Sequence, residues 1–409
     1  MTSQQLLQEA QLLKQKITEN RRYLHMHPET GFDLKETISY VKKELTDIGY
    51  EPLTCGKAGL IVTVGGKKSG KVFLIRSDMD ALPIKEESGE VFSSTNGKMH
   101  ACGHDMHTAM LLGAARLLKA HENEIEGTVK LMFQPSEETF EGANDMIENG
   151  VLKNPDVDAA LMIHVMANMP INPGTVIVCD GGVSAPAADY FSIKIKGKGC
   201  HGSMPNNGVD PITIAAHIIT SLQEIHAREL ALSDEAVLTL GTIHAGNAGN
   251  VIPDTAEMSG TIRTFDEDAR NFLKKRMTEI VTGIATIFRG VAEVSFGTGC
   301  PTLLNNGELS CDITKYLREL LGPSGVFSAG QLQNMAGSKK TAKTAGSEDF
   351  AYVSHHVPSI MLALAAGQPE KGFCYPQHHP KVRFDETVLP YGSAVYAYAA
   401  MRWLEEHKA

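Results

Sequence analysis

The spacing of apolar residues predicts two amphipathic helices at the start of the chain. Apolar positions recur at helical spacing over residues 6–17, behind Ser3 as a candidate N-cap. The same spacing recurs over residues 38–48, directly before Gly49. The chain therefore opens with helical structure that has one face to bury.

Short apolar runs of strand character follow these helices. They begin at Gly59 ("GLIVTV"), Lys71 ("KVFLIR"), Val129 ("VKLMFQ") and Ala159 ("AALMIHV"), and a helix is predicted over residues 107–120 between the second and third. Strands that alternate with helices in this way are typical of a covered, largely parallel α/β sheet.

The pattern changes after Gly182, where strands begin to alternate apolar and polar residues. The predicted order is a strand from Asp189, a helix over 211–230, strands over 236–246 and 256–265, a helix over 266–289 and a strand over 292–296. This β-α-β-β-α-β order is the split βαβ, or ferredoxin-like, pattern of an α+β domain. We therefore predict an inserted domain over 185–297.

Helix and strand patterns of the first kind return after the insert. Helices are predicted over 308–321 and 387–407 and an apolar strand over 359–367, whereas the polar passage 328–350 predicts a loop. The α/β domain is thus predicted to be discontinuous, comprising 1–184 and 298–409.

Composition narrows the class of protein. The 409 residues carry a net charge of −10 and are 42% hydrophobic, which favours a globular chain and argues against nucleic acid or an anionic membrane as a partner. The first residues lack the pattern of a secretory signal, and no stretch has the 18 apolar residues of a membrane span, so we expect a cytoplasmic protein. Seven scattered cysteines do not form a disulfide framework.

The stretch "MHACGHDMHTAM", residues 99–110, contains a cysteine and three histidines. On an extended segment Cys102 and His104 would point to the same side and meet one metal ion. Two other interpretations stay open: the pair packs in the interior, or Cys102 is a nucleophile with His104 or His107 as its base.

Other candidate donors follow predicted strands. Glu137 and Glu138 come after the strand at Val129, His164 ends a later strand, and His378 and His379 lie in a C-terminal loop. Each alone is more often a solvated or structural residue. Together, imidazole, carboxylate and thiolate donors suit two divalent first-row ions and hydrolysis, with a free carboxylate as general base.

A series of motifs runs in order from residue 25 to about residue 386. It consists of "HMHPETGFDLKET", "RSDMDALPI", "MHACGHDMHTAMLLGAA", "FQPSEE", "GANDMIENG", "GKGCHGSMPNNGVDPI", "GNVIPDTAEMSGTIRTF", "AGSEDFAYV" and "HHPKVRFDE". This series resembles the aminoacylase and carboxypeptidase family of dinuclear metallopeptidases. Within that family it resembles the hippurate hydrolase and auxin-conjugate (IAA-amino acid) hydrolase subfamily.

The resemblance implies a metal-dependent amidohydrolase that cleaves N-acyl-L-amino acids, with Glu137 as general base toward a metal-activated water. It implies two divalent ions per subunit, with Mn, Zn, Co and Ni as candidates. The implied metal ligands are Cys102, His104, Glu138, His164 and His378. His378 is preferred to His379 because the family pattern places this histidine two residues before the proline, here Pro380. Asp80 is expected to orient a ligand without binding metal, while Asp78 stands where relatives have a metal-binding residue.

For the inserted domain the resemblance implies a lid and dimerisation role. His201 is expected to reach the active site of the partner subunit and to stabilise the tetrahedral oxyanion there. Asn250 and Arg263 are expected to bind the substrate's carboxylate or carbonyl. The partners implied are a small-molecule substrate and a second copy of the chain in a homodimer, with a homotetramer as the alternative. Two related activities remain open: a dipeptidase and a biosynthetic N-acetyl-amino-acid deacetylase.

Overall fold

The computed structural model describes residues 2–335, 343 and 346–408. Their contacts divide the chain into two compact units. The first unit runs through Ser184 and resumes at Leu304, and the second is Ala185–Leu303 with a short segment that ends at Glu348. The second unit extends past residue 297 because its last strand continues to Cys300.

The elements follow one another in three blocks. The first block contains α1 (Ser3–Leu12), α2 (Lys14–Met26), α3 (Lys35–Ile48), β1 (Leu53–Cys55), β2 (Gly59–Gly65), β3 (Val72–Asp78), α4 (His104–Ala120), β4 (Thr128–Gln134), α5 (Gly142–Glu148), β5 (Ala159–Met166), β6 (Val176–Val178) and β7 (Gly182–Ala185). The second contains β8 (Ala187–Lys196), β9 (Cys200–His201), α6 (Pro211–Glu224), β10 (Ala236–Ala245), β11 (Val251–Ile252), β12 (Thr255–Thr264), α7 (Glu267–Ile287) and β13 (Val291–Cys300). The third contains β14 (Leu303–Asn305), α8 (Gly307–Leu321), β15 (Val326–Ser328), α9 (Ala329–Met335), α10 (Ala351–Ser354), β16 (Ser359–Ala365) and α11 (Leu389–Glu406).

The first unit is built on an eight-stranded sheet of order β1-β2-β4-β3-β5-β16-β6-β15. Its central strands β4, β3, β5 and β16 are parallel, whereas β1, β2 and β6 join through antiparallel pairs. Strand β3 is buried along its whole length, as expected for a sheet covered on both faces. The α/β fold with a largely parallel central sheet is confirmed, and the carboxyl ends of β3, β4 and β5 share one edge.

Helix α4 is the central helix on one face of this sheet. It is buried along nearly all its length and packs against β3, α2 and α11. Its small residues allow this close packing, since Ala109, Ala114 and Ala115 are fully buried. None of the helices in the described residues is long and apolar enough to span a membrane.

Three local predictions outside the region of α4 were wrong. The apolar series over 6–17 is divided between α1 and α2 at Leu13. The N-cap is Thr2 and not Ser3, because the Thr2 side chain accepts the Gln5 N–H in a capping box. The passage predicted as a loop contains α9, while residues 336–342, 344 and 345 of that passage lie outside the described residues.

The second unit contains an antiparallel sheet of order β10-β12-β8-β13 with α6 and α7 packed on one face. Alternate residues of β8, including Ile193 and Ile195, belong to one buried apolar cluster with residues of the two helices, including Ile218 and Leu273. The order β8-α6-β10-β12-α7-β13 and the strand arrangement are those of a split βαβ fold. The predicted α+β insert therefore matches this unit in element order.

We expect Tyr396→Phe to destabilise the first unit. The buried Tyr396 hydroxyl accepts the Ile163 N–H at 3.2 Å and donates to the Arg76 carbonyl at 3.0 Å. Phenylalanine leaves both backbone groups without this partner, which costs about 1–3 kcal/mol of unfolding free energy. The measurement is the urea midpoint at unchanged m-value. Tyr398→Phe is the control, since that hydroxyl pairs with Glu319 near the surface; equal effects would contradict this assignment.

Candidate metal centre

All of the predicted metal ligands lie in the first unit, around the carboxyl edge of its central sheet. Cys102 precedes α4, Glu138 follows β4, and His164 lies near the end of β5. His378 lies in the loop between β16 and α11. Because parallel strands end at one edge, residues distant in sequence converge here.

The candidate donor atoms form overlapping groups. In each group the ligand atoms lie within 4.8 Å of one another, and the groups formed wholly by residues of the first unit are Cys102–His104–His164, Cys102–Glu138–His378, His104–Glu137–Glu138 and Asp78–His104–His107. Cys102 Sγ lies 3.4 Å from His164 Nε2, and Glu138 Oε1 lies 3.5 Å from His378 Nε2. The donors are thus close enough to share cations.

Two buried atoms in this cluster that could bind a metal ion have no hydrogen-bond partner among the described residues. They are His104 Nε2 and Glu138 Oε1, which lie 3.9 Å apart. Buried polar atoms are normally paired, so such orphans require an explanation. A divalent cation bound between an imidazole nitrogen and a carboxylate oxygen would satisfy both, and the donor set therefore fits a metal centre.

Gly103 sets the geometry between Cys102 and His104. Its φ of +95° is left-handed, so the segment is not the extended one on which the sequence argument relied. A Cβ on Gly103 would overlap the Val165 side chain and lie 3.1 Å from Phe384 Cζ. Helix α4 consequently begins at His104, earlier than the predicted start at His107.

Asp80 connects His104 to the two glutamates through different atoms. His104 Nδ1 donates to the Asp80 carbonyl at 2.8 Å, so Nε2 is the ring nitrogen that faces the other candidate ligands and could bind a cation. The Asp80 carboxylate accepts the N–H groups of Glu137 at 3.0 Å and Glu138 at 3.2 Å. Asp80 thus forms hydrogen bonds with His104 and with both glutamates of the donor cluster.

The turn that carries Glu137 and Glu138 is tight. Ser136 and Phe140, on either side, have φ of +57° and +59°, a left-handed conformation that is costly for residues other than glycine. At the end of the turn, a Cβ on Gly142 would overlap the Pro135 carbonyl oxygen. The surrounding structure therefore holds the turn around the glutamates in a strained conformation.

His107 and Asp78 support the cluster instead of supplying free donor atoms. His107 Nδ1 donates to Asp78 Oδ1 at 2.6 Å, and His107 Nε2 accepts the Val165 N–H at 2.8 Å, so both ring nitrogens are engaged. Arg76 Nη1 donates to Asp78 Oδ2 at 2.6 Å. Burial raises the pKa of Asp78, whereas the nearby His104, His107 and Arg76 lower it by more. The net pKa of Asp78 is therefore well below its ordinary value.

These supporting roles were not predicted from the sequence, although the sequence contains one signal for them. Arg76 directly follows the apolar run of residues 72–75 and stands two residues before Asp78. Alternation along a strand places such residues on the same side. A charged pair on one side of a buried strand indicates a buried polar network.

His164 is held as a neutral imidazole. Its Nδ1 donates to its neighbour's carbonyl, Val165 O, at 2.7 Å, so Nε2 is the nitrogen directed at Cys102. Burial and the nearby His107 lower the pKa of His164 to about 3. Neutral imidazole is the form that binds metal.

The environment of Cys102 disfavours a free nucleophilic thiolate. Burial and the carboxylate of Glu138 raise the pKa of Cys102 well above its ordinary value. Burial, with the carboxylates of Asp80 and Asp78, also raises the pKa of Glu138, to about 7. Both groups would ionise readily beside a bound cation, which supports a metal centre over a thiol nucleophile.

His378 and His379 differ in their surroundings. His378 has a left-handed φ of +63° and belongs to the group with Cys102 and Glu138. His379 stacks on Tyr375 at 4.3 Å, and its Nδ1 accepts the Lys381 N–H. The geometry therefore brings His378 to the cluster.

The remaining predicted residues lie in the second unit. His201 and Asn250 are brought together by the β9–β11 ribbon, in which the Gly202 N–H donates to the Asn250 carbonyl at 2.8 Å. His201 Nδ1 accepts the Ser203 N–H. Arg263 lies on β12, with its guanidinium 5.8 Å from the ring centroid of Tyr190.

The fold and this donor cluster define the class of metal-dependent hydrolases, and comparison with known proteins specifies the family. The family model of Peptidase family M20/M25/M40 matches residues 74–402. The chain belongs to this family and is a hydrolase of it.

Individual relatives extend over nearly the whole chain. The N-acetyl-L-cysteine deacetylase of Bacillus subtilis (strain 168) is 36% identical, over 97% of this chain and 90% of its own length. The IAA-amino acid hydrolase ILR1-like 2 of Arabidopsis thaliana is 36% identical, over 94% of this chain and 84% of its own length. Among solved structures, the YXEP protein of Bacillus subtilis, described as a dinuclear metal binding peptidase from the M20 family, is 33% identical with a TM-score of 0.77, covering 97% of this chain and 99% of its own.

We expect Gly103→Ala to impair divalent metal uptake. The new Cβ would overlap Val165 and require a left-handed backbone, so Cys102 and His104 would move apart. The measurement is metal content after reconstitution, by elemental analysis. Gly89→Ala is the matched control, because Gly89 also has a positive φ of +76° but has open space around its Cβ position. Equal metal content in the wild type and Gly103→Ala would contradict the role of Gly103.

Proposed function

We propose that this chain is a metal-dependent amidohydrolase that cleaves N-acyl-L-amino acids, with N-acetyl, N-benzoyl or similar acyl groups, to a carboxylate and a free amino acid. The observation that carries the proposal is the convergence of thiolate, imidazole and carboxylate donors around the buried, unpaired His104 Nε2 and Glu138 Oε1. The deacetylase and IAA-amino acid hydrolase relatives support N-acyl-amino acids as the substrate class.

Two divalent ions per subunit would be held by the predicted ligands, with Cys102 common to two donor groups. The ligand set is Cys102, His104, Glu138, His164 and His378. Mn, Zn, Co and Ni all accept imidazole and carboxylate donors, and the thiolate favours the softer ions among them. Bound ions would supply Lewis acidity to the scissile carbonyl and lower the pKa of the attacking water.

Glu137 performs the proton transfers in this proposal. Its Oε2 lies 3.8 Å from His104 Nε2, so its carboxylate borders the donor cluster. The carboxylate takes a proton from the attacking water and delivers it to the leaving amine. The strained turn and the contact of its N–H with Asp80 keep Glu137 in place for both transfers.

The second unit supplies the substrate contacts in this proposal. His201 of one subunit stabilises the oxyanion of the tetrahedral intermediate in the partner subunit's active site, and Asn250 and Arg263 bind the substrate's carboxylate or carbonyl. A planar guanidinium is suited to grip a carboxylate with two hydrogen bonds. The lid role of residues 185–297 is part of the same proposal.

We also propose a homodimer formed through the second unit, with a homotetramer as the alternative. Strand β10 is at the edge of its sheet, and Val237 and Ile243 on it are 57% and 50% exposed. An exposed edge strand with apolar side chains is a surface on which a second strand pairs. This supports β10 as the contact between two copies.

We expect Glu137→Gln to abolish turnover without loss of metal. An amide cannot accept the proton of the attacking water, and loss of a general base lowers kcat by roughly 100- to 10,000-fold. Metal content by elemental analysis should equal that of the wild type. Glu141→Gln, in the same turn but outside the donor groups, is the control. Near-normal activity of Glu137→Gln would eliminate Glu137 as the base.

The proposal is tested directly by product release from N-acetyl, N-benzoyl and indole-acetyl amino acids and from dipeptides. Chelation should remove activity, and Mn, Zn, Co or Ni should restore it, because the chemistry depends on the cations. Exclusive cleavage of dipeptides, or of one biosynthetic N-acetyl amino acid, would favour the related alternatives. Resistance to chelators with inactivation by alkylation would indicate a Cys102 nucleophile, and no hydrolysis of any compound would overturn the proposal.

A further inference from the structure

His378 is the exposed member of the candidate ligand set. Its side chain is 53% exposed, whereas that of Glu138 is 12% exposed and that of His104 is fully buried. It lies on a long loop and has a left-handed backbone conformation. Packing alone therefore does not fix its direction, and other contacts must hold it near Glu138.

The backbone of His378 is fastened to the Cys102 segment. Its N–H donates to the Ala101 carbonyl at 2.9 Å. Ala101 is buried and immediately precedes Cys102. This bond fixes the position of the His378 peptide. The turn could still rotate about the bond, so a second contact is needed to hold it.

The preceding residue, Gln377, makes a second hydrogen bond, to the segment that contains His164. Gln377 Nε2 donates to the Val165 carbonyl at 3.0 Å and lies 3.4 Å from Met166 Sδ. The same carbonyl accepts the His164 Nδ1 proton at 2.7 Å. One backbone oxygen thus contacts the exposed turn and orients a buried ligand.

We propose that Gln377 is a positioning residue that holds His378 against Glu138, so that the Cys102–Glu138–His378 group is assembled before a cation binds. This inference rests on the metal set of the proposed function. A preassembled ligand loses less conformational freedom on binding, so affinity for the cation rises. No chemical step is assigned to Gln377.

The contacts of Gln377 predict that its loss affects one of the two metal sites and not the other. Without the Gln377 amide, the Val165 carbonyl still accepts the His164 proton, so the Cys102–His104–His164 group keeps its geometry. The turn that carries His378 loses one of the two hydrogen bonds that hold it. Binding of one divalent ion should therefore weaken while binding of the other is preserved.

The test is titration of the metal-free, full-length chain with Co²⁺, followed by the thiolate-to-cobalt absorption band and by calorimetry. Gln377→Met keeps the length of the side chain and removes the N–H, and Gln377→Glu places an anionic oxygen against the carbonyl. Gln368→Leu, in the same loop, is the matched control. We expect two ions in the wild type and in Gln368→Leu, and roughly 10- to 100-fold weaker binding of one ion in both Gln377 variants.

The outcomes separate this inference from the proposed function. Wild-type binding of both ions by the Gln377 variants would overturn the positioning role and leave the function intact. Equal weakening of both ions would also overturn it, since that result indicates a general structural role. Failure of the wild type to bind two ions would instead contradict the proposed metal set. If Gln377→Met does not fold, as judged by its urea midpoint, Gln377→Glu provides the result.

Discussion

A buried arginine must have a hydrogen-bond acceptor for each part of its guanidinium group, and this constraint organises the first unit. Arg76 is fully buried on β3 and donates to Asp78 at 2.6 Å, to Gln134 at 2.8 Å and to Asp349 at 3.0 Å. Breaking such a network leaves uncompensated charge in the interior, which is strongly destabilising. Each acceptor belongs to a different segment, so the cation fixes the relative positions of β3, the end of β4 and the segment before α10.

The positions of the side chains in the donor cluster depend on this network. Asp78, held by Arg76, orients His107, and His107 in turn accepts the N–H of Val165 beside His164. On the other side, Asp349 accepts the N–H of Ala143 and so anchors α5, which follows the glutamate turn. A charged side chain with no role in binding metal thus connects both sides of the site, and networks of this kind are worth more than their separate bonds.

The sequence predicted features that depend on local pattern and missed those that depend on tertiary contact. Alternating strands and helices predicted the α/β fold, and the β-α-β-β-α-β order predicted the insert. Glu138 and His164 were found because strand ends collect functional residues; their roles as ligands stay predictions. The left-handed Gly103, the two engaged nitrogens of His107 and the contact of Gln377 with Val165 each depend on partners more than 25 residues away in the chain. No local pattern carries that information.

The left-handed backbone at Gly103 separates the placement of the Cys102 and His104 side chains from their chemistry. Its φ of +95° sets the directions in which the two side chains leave the backbone. A substitution at either position would change the softness and charge of that side chain, while the backbone directions would stay the same as long as Gly103 keeps this conformation. In the proposed metal centre, the choice of metal and the backbone geometry could therefore be varied independently.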